Sequence, residues 1–173
     1  MASREKRLEK LTSSEYSLLH ELTFGAPLDG ASLDAAIGNI VRDRMRMAQG
    51  FLRAAKLLGR NADPDVQGSA VSRAYYAAYQ AARATVFAVR RHDYDDHEAL
   101  PKQLDGLKGV DGTPGAELKE LRLRRNEFDY SPYPGAKPGT PYPSKQRTSI
   151  IKDSVRRADR LVRALDKFLK DRK

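Results

Sequence analysis

The sharpest chemical signal in the chain lies in the segment LRLRRNEFDY (121–130). Leu118, Leu121, Arg125 and Phe128 follow one another at spacings of three, four and three, so in a helix they share one face. Arg125 therefore stands where an apolar core residue is expected, and Asp129 follows it one turn later. A guanidinium on an apolar stripe must be paired or must face a polar cleft, because burying it alone is costly. Two readings follow. In one, Arg125 and Asp129 form an i,i+4 ion pair that satisfies itself. In the other, Arg125 is presented to a phosphate, with Asn126 and Tyr130 beside it. Arg suits that task because its planar fork donates two parallel hydrogen bonds to phosphate oxygens.

Other polar residues are weighed against packing. Arg73, Gln80, Arg83 and Arg90 fall within roughly 100° of one another around a helix. They make one narrow polar stripe on an otherwise apolar segment. Tyr75, Tyr76 and Tyr79 lie among alanines, which favours packing over a base-stacking platform. DYDDHE (93–98) holds four acids and His97, but no partner ligands follow at a recognisable metal spacing. Acids entering a helix near its positive dipole end are the commoner meaning. No metal and no cofactor is expected. There is no Gly-rich phosphate loop, and His20, His92 and His97 are too scattered to argue a Ser-His-Asp arrangement.

These residues need helices to position them. The chain has 173 residues, enough for one domain of ordinary size. Residues 1–30 read as an N-terminal extension with a short helix over 13–23 and a loop over 24–30. A long helix is expected from Ser32, which can cap it, to residue 58, with Arg44 as the one polar interruption of its apolar face. A second helix over about 65–91 is apolar around most of its circumference and so should be central. A loop and short helix occupy 92–108, a turn region 109–115 and a fourth element 116–130. Residues 131–144 contain five of the nine prolines and read as an extended loop. A last helix runs over about 145–171. No strand-like alternation occurs, so the fold class is all-α, an antiparallel bundle of four to five helices over 31–173.

Composition narrows the function classes. Cysteine is absent, which excludes disulfides, thiolate metal sites and Cys nucleophiles. No apolar run is long enough to span a bilayer, and the charged start shows no signal peptide, so a soluble cytoplasmic protein is expected. The formal charge of +9 is uneven. Residues 144–173 carry 11 bases against 4 acids, and 93–143 carry 7 against 10. A basic helix favours phosphate backbones, although a solvated outer face is the blander account.

Three segments in order, SRAYYAAYQAARATVF (72–87), DDHEALPKQL (95–104) and LRLRRNEFDY (121–130), resemble the HEPN superfamily (higher eukaryotes and prokaryotes nucleotide-binding). The resemblance covers about residues 32–170, in the branch whose fourth helix carries Arg, three residues, then Asp-Tyr. It implies a helical bundle that commonly forms homodimers. Many members are metal-independent ribonucleases whose motif is an Arg, often a following polar residue, and a His four to six residues after the Arg. Arg125 and Asn126 match its start, and Tyr130 stands where the His would be. A phenol, with a reference pKa of about 10, is a poor general base at neutral pH. Among relatives, His97 corresponds to a position before the third helix and would line the cleft. Arg73 and Arg83 would support the same cleft.

The resemblance implies a protein of a toxin–antitoxin or defence system, with a nucleotidyltransferase-type protein as a possible partner. Such a protein would bind RNA or nucleotide through Arg125, Asn126, Asp129 and Tyr130. If it cleaves RNA, the ribose 2′-OH attacks the adjacent phosphate, Arg125 stabilises the phosphorane, and Asp129 or Tyr130 moves the proton. The alternative is a non-catalytic dimeric helical module that binds a protein partner. A third reading is nucleic-acid binding by residues 145–173 alone.

Overall fold

The computed structural model describes residues 30–130 and 142–172. The short helix expected over 13–23, most of the N-terminal extension and most of the Pro-rich loop lie outside the described residues. Among the described residues the regular elements are five helices: α1 Gly30–Leu58, α2 Pro64–Arg90, α3 Ala99–Asp105, α4 Pro114–Tyr130 and α5 Ser144–Asp171. This is the all-α bundle the periodicity predicts. One boundary differs, since α1 begins at Gly30 and not near Ser32. None of the described helices is long and apolar enough to cross a membrane.

Helix α2 is the centre, in contact with each of the other four. Its start is built by Asp63, whose carboxylate accepts the Asp65 N–H at 2.9 Å, and by Pro64 in the first turn, where a missing N–H costs nothing. Ala70, Ala74, Ala77, Ala78, Ala81 and Ala82 are fully buried. Alanine loses no side-chain entropy in a helix, and its small size lets α1, α4 and α5 approach closely. Larger core side chains come both from α2 itself, with Tyr75 and Phe87, and from its neighbours, with Leu52, Leu104, Leu118, Leu121, Leu165 and Phe168.

Two features fix α4. Its first turn lies so close to α3 that a Cβ on Gly115 would overlap the Pro101 carbonyl oxygen and the Asp105 carboxylate. The Gly115 N–H donates to Asp105 Oδ1 at 2.7 Å, which places a carboxylate at the positive end of α4. Further along, Arg124 and Arg157 both reach Asp153, and Arg157 also reaches Glu117, tying α4 to α5. Burial tends to raise the Asp153 carboxyl, but hydrogen bonds from Arg156, Arg157 and Arg124 outweigh it and hold the group well below the usual carboxylate range.

The polar interruption in α1 also has a partner. Arg44, 4% exposed, donates to Asp93 Oδ2 at 2.8 Å, and Arg83 of α2 pairs with the same carboxylate. Asp93, whose side chain is fully buried, thus belongs to the core and not to a helix entrance. Asp96 takes the entrance role: its Oδ1 accepts the backbone N–H groups of Glu98 and Ala99 at 2.6 and 2.8 Å.

Candidate nucleotide-binding site

Helices α2 and α4 bring Tyr76 and Arg125 together. Arg125 Nη2 donates to the Tyr76 hydroxyl at 2.9 Å, and Nη1 donates to Asn126 Oδ1 at 2.9 Å. These contacts occupy one N–H of each terminal nitrogen. The guanidinium carbon lies 4.8 Å from the Tyr130 ring centroid, 5.5 Å from that of Tyr76 and 5.9 Å from that of Tyr75. Three phenol rings therefore surround one cation, a favourable use of their quadrupoles. Burial alone would lower the Arg125 pKa, but Tyr76, Tyr130 and Asp129 outweigh it, and the group stays charged.

Asp129 stands beside this cation as the i,i+4 spacing requires. Its Oδ2 is 2.9 Å from Arg125 Nε. That approach is a contact of charges and not a directed hydrogen bond, because the Nε is buried without a hydrogen-bond partner among the described residues. The same Asp129 oxygen accepts the Ser72 hydroxyl at 3.0 Å. The pair lies at a rim: the side chains of Arg125 and Asp129 are 16% and 26% exposed, and Tyr130 is 68% exposed.

A histidine joins the cluster from the loop before α3. His97 Nδ1 hydrogen-bonds the hydroxyl of Tyr75, whose ring also faces Arg125. The His97 ring packs tilted against Tyr79 with centroids 4.7 Å apart, and Arg122 of α4 donates to the His97 carbonyl at 3.2 Å. Burial first, then the charges of Arg122 and Arg125, hold the imidazole below its usual pKa, so it is neutral near neutral pH. Burial pushes the Tyr75 phenol far above its usual value, so it keeps its proton.

Not every expected residue gathers here. Arg125, Asn126, Asp129 and Tyr130 do, and His97 is linked to them through Tyr75. Arg83 does not: it pairs with the buried Asp93 of the loop that follows α2. Arg73 is exposed on the α1 side, its guanidinium carbon 5.7 Å from the Phe51 ring centroid. Phe51 stacks at 5.9 Å on Tyr76, so Arg73 is one aromatic ring removed from Arg125. The residues that the sequence reading missed are Ser72 and the two tyrosines. Tyr75 is buried as packing requires, but its hydroxyl and that of Tyr76 are the polar handles of the site. Their signal was the need of Arg125 for partners on the facing helix.

In comparisons with known proteins, no family model, no curated protein and no solved structure matches the chain.

Proposed function

We propose that this is a HEPN-type helical protein of a toxin–antitoxin or defence system that binds RNA or nucleotide at the Arg125 rim. The supporting observation is the exposed Tyr130 ring lying 4.8 Å from a charged guanidinium that Tyr76 and Asn126 already hold in place. A nucleotide offers the matching pair of groups, a phosphate for the cation and a base with a π-face for the phenol. Tyr76 and Asn126 fix the orientation of the guanidinium before any ligand arrives, which reduces the entropic cost of binding.

Cleavage is the more specific form of this reading, and His97 favours it. A neutral imidazole linked to Arg125 through Tyr75 supplies a proton-transfer group that Asp129, engaged by Ser72, supplies less readily. In that scheme the ribose 2′-OH gives up its proton and attacks the adjacent phosphate, Arg125 stabilises the phosphorane, and the P–O5′ bond breaks to leave a 2′,3′-cyclic phosphate and a 5′-oxygen that takes up a proton. The competing reading is a non-catalytic dimeric module that binds a protein partner, a nucleotidyltransferase among the candidates. It draws on the closeness of Asp129 to Arg125, which neutralises the cation within one protomer.

The deciding experiment titrates mononucleotides and a short single-stranded RNA against the wild type, Arg125→Ala and Tyr130→Ala. Loss of binding in both variants is expected, by roughly tenfold for the exposed ring alone. Unchanged binding in Arg125→Ala would leave the interaction-module reading in its place. Product analysis of the RNA in the same samples, with His97→Gln added, tests cleavage.

A further inference from the structure

Helix α5 carries a second basic feature, remote in character from the Arg125 rim. Lys152, Arg156, Arg160, Arg163, Lys167 and Lys170 are all exposed and follow one another at spacings of three and four. At 100° per residue they lie within about 80° of the helix circumference, over a length of about 27 Å. The buried side chains of the same helix, Ile151, Ala158, Leu161, Leu165 and Phe168, occupy the opposite face. The stripe is thus the outermost surface of α5.

The acids of α5 do not cancel it. Asp153, Asp159 and Asp166 pair with Arg156, Arg163 and Lys170, but they flank the stripe and lie lower. Their side chains are 22%, 21% and 28% exposed, against 69%, 74% and 68% for the cations they hold. A partner approaching from solvent meets the cations first. Such exposed pairs are weak and exchange readily for a phosphate. Lys152, Arg160 and Lys167 have no ion pair among the described residues. At its start the stripe runs into a cavity of about 340 Å³ lined by Lys56, Arg60 and Lys152 with Ala55, Gly59 and Val155; Lys56 is paired with Asp159 at 2.9 Å, and Arg60 and Lys152 have no ion pair among the described residues.

We propose that this face of α5, with Lys56 and Arg60 at its end, is a docking surface for the phosphate backbone of RNA. The occupant is argued from charge and from what the face lacks. A helix that lies in a membrane interface must offer its own apolar face to the lipid. In α5 that face is buried in the bundle, with Ile151 and Leu165 fully covered, and the large exposed apolar residues Met47, Leu57, Leu123 and Tyr130 all lie on other helices. A regular row of cations without apolar neighbours matches a polyanion with repeating charge. The surface reads no base, so the contact is independent of RNA sequence. It does not depend on the Arg125 reading.

The test measures binding of a fluorescein-labelled single-stranded RNA by anisotropy across a salt series. The proteins are wild type, the triple variant K152E/R160E/K167E, the milder K152Q/R160Q/K167Q, and Arg125→Ala. Each is checked by circular dichroism and melting; the neutral variant keeps the test decisive if charge reversal disturbs the fold. The wild type should bind with steep salt dependence. The neutral variant should lose about tenfold at low salt and flatten the log–log slope by about 2, three lost contacts at roughly 0.7 each. Arg125→Ala should change the slope by less than about 1. Loss in the α5 variants with none in Arg125→Ala would support this surface and remove the Arg125 reading, and the reverse pattern would do the opposite. Equal affinity and slope in wild type and the α5 variants, no RNA binding by the wild type, or tighter binding to phosphatidylserine vesicles than to RNA would each overturn the proposal.

Discussion

Two arginine–carboxylate sites stand along one face of α2, with Arg83 two turns after Tyr76, and they differ in the fate of the carboxylate. Arg44 and Arg83 share Asp93, whose side chain is fully buried, whereas Arg125 stands beside Asp129, which is 26% exposed and also serves Ser72. Arg83 and Arg125 are covered to a similar extent, 15% and 16% exposed, while Arg44 is covered more deeply. Coverage of the cation therefore does not distinguish a structural site from an open one. A buried carboxylate claimed by two guanidiniums has no capacity for a ligand. A carboxylate at the rim, with an exposed tyrosine alongside, leaves its arginine within reach of an anion from solvent.

The most severe way to test this contrast is to remove the buried acid. Asp93→Ala deprives the buried Arg44 and the partly buried Arg83 of their shared carboxylate and should cost about 3–5 kcal/mol. For a chain of this size that is a fall of roughly ten degrees in Tm, read by calorimetry. A change of only one or two degrees would mean that the closed site is no more structural than the open one. Arg125→Ala should cost less, about 1–2 kcal/mol, for one hydrogen bond to Tyr76 and the ring contacts. The two variants together rank the sites by stability alone, without any ligand. Asp129→Asn sharpens the comparison further. It should change stability by under about 1 kcal/mol, since the pair is partly exposed. It should also strengthen phosphate or nucleotide binding, because a competing carboxylate leaves the cation. Weakened binding would show that Asp129 positions Arg125 instead of competing for it.

The helices were legible because their signals are local. The largely apolar circumference gave the central place of α2, and the proline run over 131–144 marked the loop before α5. The Arg125–Asp129 contact was legible for the same reason, as an i,i+4 relation within one helix. What the sequence concealed is non-local. Arg44 announced that a buried acid must exist, but 93–98 offers four acids, and only the packing of that loop against α1 and α2 selects Asp93 for the core and Asp96 for the helix entrance. Arg83 and Arg125 looked alike on paper. They part company because one faces the returning loop and the other faces Tyr76. Arg124, adjacent to Arg125 in the chain, is turned to Asp153 of α5 and is structural.

The loop that closes one site also supplies His97 to the other, so its titration reports on the open side. His97 is held below its usual pKa by burial and by Arg122 and Arg125. Over the interval between that lowered value and the ordinary one of about 6.5, the unfolded chain binds more protons than the folded one. Stability therefore rises with pH through this interval, is fully present above it, and is lost as the pH falls through it. Urea unfolding across mildly acidic pH should show this rise in the wild type and a flatter profile in His97→Gln. Arg125→Ala should flatten it in part, because one of the charges that depresses the imidazole is gone. A profile that is identical in all three proteins would separate His97 electrostatically from Arg125, and with it the link through Tyr75 that joins the loop to the rim.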